Sequence, residues 1–165
     1  MELVCDADGN PAPRLNDVEL TPDDARRWHA FLISQIVLML CAGLIHGDLS
    51  EFNVLLDPAG PVIIDLPQAV NAAGNNNAFR MLERDVNNMR EAFGRAVPEL
   101  LATEYAHEIW KLYEAGQLQP ETRLSGHFEH DHTEVDVVAV LDLIEDERLL
   151  AEERQRRREE AAAGV

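Results

Sequence analysis

His46-Gly47-Asp48-Leu49-Ser50-Glu51-Phe52-Asn53 is followed after a short gap by Val62-Ile63-Ile64-Asp65. Between the two segments, Val54-Leu55-Leu56 is a short apolar run, and Asp57-Pro58-Ala59-Gly60-Pro61 has the composition of a turn. The spacing therefore predicts a β-hairpin. Pairing Leu56 with Val62 sets Val54 against Ile64 and Asn53 against Asp65 at the open end. Directly opposed residues of an antiparallel pair lie about 4.5–5.5 Å apart. Such a hairpin would bring an amide oxygen and a carboxylate to one hard cation, with Asp48 nearby to accept a proton or orient a nucleophile. Phosphoryl transfer from ATP needs such a carboxylate, and it needs oxygen ligands that hold magnesium against the phosphates. The competing reading is a polar turn without chemistry. The context, a long apolar helix before the motif and an Asp-terminated strand after it, favours a site.

Composition narrows the setting. At 165 residues and 46% hydrophobic, the chain is long enough for one core and too short for two ordinary domains. A net charge of −17 argues against a charge-driven grip on nucleic acid or anionic lipid, which needs clustered Lys and Arg. The one basic cluster, Arg154 to Arg158, lies among glutamates and reads as a solvated helix face. Cys5 and Cys41 are far apart without Cys-x-x-Cys spacing, as expected of reduced thiols in a cytoplasmic protein. The N-terminus has no secretory pattern. The apolar stretch from Ala30 to Leu44 is shorter than the ~20 residues that span a bilayer. Lys111 is the only lysine.

Thr21-Pro22-Asp23-Asp24 predicts a helix start, with Thr as N-cap, Pro at the first position and acids in the first turn. This helix is expected from Pro22 to about Ala42 with Gly43 as its stop. Its second half is apolar nearly all round, as in a buried central strut. A second helix is expected over about Ala78 to Phe93, with Phe79, Leu82, Val86, Met89 and Phe93 on one stripe. A third is expected over Pro98 to Ala115, with Leu101, Tyr105, Ile109 and Leu112 in register. Glu134 to about Ala163 reads as a last helix ending in a charged extension. The domain reading is a hinge and linker over 1–20, a lobe over 21–145 and a charged tail over 146–165.

The motif order resembles the RIO family of atypical serine/threonine protein kinases. The resemblance rests on His46 to Asn53, Ile64-Asp65-Leu66-Pro67-Gln68-Ala69-Val70, Pro11-Ala12-Pro13-Arg14-Leu15 and Leu124-Ser125-Gly126. Gly47 and Pro67-Gln68 stand where ordinary protein kinases have His-Arg-Asp and Asp-Phe-Gly. The resemblance implies an α+β, mainly α-helical fold, a kinase-like C-terminal lobe with a small catalytic-loop hairpin. It implies Asp48 and Asp65 as catalytic residues and Asn53 and Asp65 as magnesium ligands. Glu2 and Val4 would be the hinge backbone that meets adenine, with Ser50 and Asn53 also on the nucleotide side. For Ser50, capping within the loop is the alternative. The family further implies a transient phosphoaspartate at Asp65 in an ATPase-like cycle. Asp85 falls where kinases place a helix aspartate that accepts from the catalytic-loop backbone, with a surface acid as the alternative.

The short span from Leu66 to Asn77 leaves no room for a long activation segment, as in RIO kinases. No glycine-rich loop or N-lobe lysine precedes the hinge. The sequence therefore reads as a C-terminal lobe expected to bind ATP weakly and turn it over poorly: a fragment of a longer protein that supplies the N-lobe, a gene model started at an internal Met, or one half of a split or degenerate kinase. The expected partners are ATP, magnesium and an unidentified protein substrate or assembly partner, with no nucleic acid and no membrane. Two other functions fit: a small-molecule phosphotransferase of the aminoglycoside or choline kinase type, and a non-catalytic interaction module. Leu66-Pro67-Gln68 and Pro11-Ala12-Pro13 favour RIO over the first. His127-Phe128-Glu129-His130-Asp131-His132 carries three imidazoles but lacks zinc-site spacing, so adventitious binding or none is expected. His46 reads as a structural imidazole, and Trp28 and Trp110 as core.

Overall fold

The computed structural model describes residues 4–130. The chain divides into two compact units, Met1–Phe128 and Glu129–Val165, and every element below belongs to the first. The expected last helix and the charged tail lie outside the described residues.

Helix α1 runs over Pro22–Cys41, opened by Thr21, whose hydroxyl oxygen accepts the Asp24 N–H at 3.2 Å. Pro22 costs no hydrogen bond at this position, and Gly43, at φ +80°, carries the chain out of the helix. Strand β1 (Leu44–Ile45) follows at once and pairs antiparallel with β4 (Val70–Asn71). Strands β2 (Val54–Asp57) and β3 (Gly60–Ile63) form the hairpin. Helix α2 (Ala78–Gly94) and helix α3 (Tyr105–Glu114) pack with α1. Among the described residues no helix is long and apolar enough to cross a membrane. The fold is α+β, with three α-helices and two small antiparallel sheets among the described residues.

One face of α1 builds the core. Leu32, Ile36 and Leu40 meet Leu82 and Phe93 of α2 and Ile109 of α3 in a single buried cluster. The all-round burial expected of α1 is not found, because Phe31 and Leu38 are exposed on its outer side. Trp28 and Trp110 are likewise only partly buried at the margin of the core. His29 is fully enclosed, 5.7 Å from the Phe93 ring and 5.8 Å from the Tyr105 ring.

The hairpin register differs from expectation by one residue. Asp57 Oδ1 accepts the N–H groups of Ala59 at 2.7 Å and Gly60 at 2.9 Å. This side-chain closure shortens the turn to Pro58-Ala59, so Asp57 pairs with Gly60, Leu56 with Pro61 and Val54 with Ile63. Gly60 takes φ +137°, open to glycine and to little else. Asn53 consequently lies against Ile64, whose N–H it accepts at 2.9 Å, and not against Asp65.

The third expected helix is also divided. Pro98–Ala102 is a 3-10 turn, and α3 starts only at Tyr105. The Thr103 hydroxyl donates to the Leu100 carbonyl at 2.7 Å and the Glu104 N–H to the Gly126 carbonyl at 2.8 Å, which breaks the continuous ladder. Leu101 is exposed as a result. The Glu108 carboxylate completes this corner, accepting the Ser125 N–H at 2.7 Å and the Gly126 N–H at 2.8 Å.

Candidate active site

The motif loop leaves β1 at Ile45 and turns through Gly47, at φ +84°. Leu49 is buried completely, while the neighbouring Asp48 is exposed. The loop is thus anchored by one side chain and presents the next to solvent.

A set of hydrogen bonds joins Asp48, Asn53, Ile64 and His46. The Asn53 amide donates from Nδ2 to the Asp48 carbonyl at 2.6 Å. The Asn53 carbonyl accepts the Ile64 N–H at 2.9 Å, and the Ile64 carbonyl lies 2.9 Å from His46 Nε2. Asp65 is bonded directly to Ile64 in sequence. A carbonyl can only accept, so His46 carries its proton on Nε2. Its Nδ1 is then the acceptor for the Asp48 N–H at 3.4 Å. His46, buried beneath the loop, therefore spans from the motif to the residue before Asp65.

Asp65 itself adopts φ 67°, ψ 38°, the one non-glycine residue with positive φ among the described residues. That turn takes the chain out of the β3 direction and into the 3-10 turn Leu66–Gln68.

Asp85 of α2 is buried under the same loop, accepting the Gly47 N–H at 2.8 Å and the Leu49 N–H at 2.9 Å. Burial pushes its carboxyl above its ordinary value, against the pull of these two donors and of Arg84. Ser50 accepts the Phe52 N–H at 3.4 Å, a contact within its own loop. Val4 uses its carbonyl to accept the Ala12 N–H at 2.9 Å. Glu2, Asp131 and His132 lie outside the described residues.

The donor set suits a hard divalent cation. Because Asn53 spends its Nδ2 on the Asp48 carbonyl, the atom left for a metal is the amide oxygen, and Asp65 adds an exposed carboxylate. The fold is that of a kinase-like lobe. A family model described as "RIO domain" matches residues 1–106, and the chain belongs to the RIO family. It is 37% identical over 89 residues to the human serine/threonine-protein kinase RIO1, covering 53% of this chain and 16% of that protein. It is 46% identical over 54 residues to the RIO-type serine/threonine-protein kinase Rio1 of Haloferax volcanii, covering 33% of this chain and 18% of the relative. The Schizosaccharomyces pombe serine/threonine-protein kinase rio1 is 26% identical over 137 residues, 81% of this chain and 27% of that one. The chain thus spans about a quarter or less of the length of these relatives. Membership decides between the two phosphotransferase families that share the motif.

Proposed function

We propose that this chain carries the magnesium- and proton-handling half of a RIO-type serine/threonine kinase or ATPase. The observation that supports this reading best is the hydrogen-bonded set running from Asp48 through Asn53 to Ile64 and His46. It ties the exposed Asp48 to Asn53 and to Ile64, the residue before Asp65, by backbone as well as side-chain contacts. Asn53 Oδ1 and the Asp65 carboxylate would hold magnesium, which when bound neutralises phosphate charge. Asp48 would accept the proton of the attacking hydroxyl or water. Asp85 and His46 hold the loop and take no part in proton transfer: one is buried and the other has both ring nitrogens engaged. The Val4 N–H and the Glu2 carbonyl would meet the adenine edge, since the Val4 carbonyl is already bonded to Ala12. A protein substrate or assembly partner belongs to the same reading.

Calorimetry of ATP with and without magnesium tests it, together with phosphate release. Asp65→Ala should abolish the magnesium-dependent part of binding. Asp48→Ala should keep binding and lose about 100-fold or more in turnover, the usual scale for a general base. Magnesium-dependent binding that survives Asp65→Ala, or turnover that survives Asp48→Ala, would refute the assignment.

A further inference from the structure

Residues 47–49 lie in no helix or strand, yet each of their six backbone polar groups is bonded to a side chain. The Asp48 N–H and carbonyl go to His46 and Asn53. The Gly47 and Leu49 N–H groups go to the two oxygens of Asp85. Both remaining carbonyls are taken by α2 as well: Arg84 donates to that of Gly47, and Asn88 Nδ2 to that of Leu49 at 2.8 Å. Arg84 and Asn88 stand one helical turn apart with Asp85 beside them. A carboxylate that accepts two N–H groups holds one edge of the loop but leaves the peptide planes free to pivot about those donors. Bonds to the Gly47 and Leu49 carbonyls hold the next peptide planes along, 47–48 and 49–50, so that neighbouring planes cannot turn independently.

We propose that Arg84 and Asn88 are positioning residues for Asp48, fixing the peptide unit before it and the one after Leu49 so that α2 sets the direction of its carboxylate. This rests on the reading of Asp48 as the proton acceptor. Asn88→Leu keeps the shape of the side chain and deletes the donor. Arg84→Met deletes the other, and Arg84→Lys retains one. The full chain would be followed by amide hydrogen exchange at Gly47 and Leu49, by thermal melting, and by steady-state turnover of magnesium-ATP. Asn88→Leu and Arg84→Met should speed exchange at those two amides while the rest of α2 stays protected. They should lower kcat about 10- to 100-fold with KM for ATP within about twofold, the scale of a small misplacement of a catalytic group. Arg84→Lys should recover most of the rate. Unchanged kcat, or exchange that rises equally along all of α2, would mean a merely structural role and overturn the proposal. If the unmodified chain neither binds nor turns over magnesium-ATP, the reading of the site fails by itself. Exchange at Gly47 and Leu49 then still decides the clamp, and unchanged protection in Asn88→Leu overturns it.

Discussion

His29 sits between two aromatic rings, and its Nε2 meets no hydrogen-bond partner among the described residues. Burial lowers its pKa from 6.5 to about 4. The folded state therefore refuses a proton that the unfolded chain takes up, so this group's contribution is fully present above pH 6.5 and declines as pH falls towards 4. The loss should approach about 3 kcal/mol at its limit. Urea midpoints measured from pH 8 to pH 4 should display that slope, and His29→Leu should flatten it. Asp65 poses the opposite kind of question. Its left-handed backbone costs an L-residue energy that glycine avoids. Asp65→Gly should raise stability by about 0.5–1 kcal/mol while removing the carboxylate proposed to hold magnesium. A destabilised Asp65→Gly protein in the same urea titration would show that the carboxylate also supports the fold.

At the scale of elements, the hairpin offers the sharpest test. Asp57→Ala removes the acceptor for two turn N–H groups and should cost about 1–2 kcal/mol, measured by chemical denaturation. Those same two bonds explain why the register was misread. Turn composition reveals that Asp57 to Pro61 bends, but not that a carboxylate closes the bend early enough to shift the register by one residue. Helix ends were easier to read, because Thr21, Pro22 and Gly43 act locally and their roles follow from residue type. The break before α3 depends on Gly126, distant in sequence, and the β1–β4 pair is too short for any periodicity to reveal. The place of Asp85 under the loop was legible from resemblance, whereas the facing of Asn53 and Asp65 expected from spacing was not found, Asn53 lying against Ile64. Arg84 and Asn88 were not legible, because an exposed arginine and an asparagine on a polar helix face look alike whether they meet solvent or a loop carbonyl.

For the whole molecule, charge is the dominant quantity. With −17 overall, the chain repels an anionic nucleotide at long range, and salt should weaken that repulsion. The screening length falls from about 30 Å at 0.01 M to about 8 Å at 0.15 M ionic strength. Affinity for magnesium-ATP, measured at constant free magnesium, should therefore hold or improve across that interval. A steep loss of affinity would indicate a cationic nucleotide site that this charge balance does not suggest. The bonding of the loop to α2 has a separate consequence. Because Gly47 to Leu49 possess no ladder of their own, the His46-to-Asn53 octapeptide is not a portable cassette. Transplanted onto a foreign hairpin it would lose its shape, whereas a graft that also carries the Arg84-Asp85 pair and Asn88 on a facing helix would keep it.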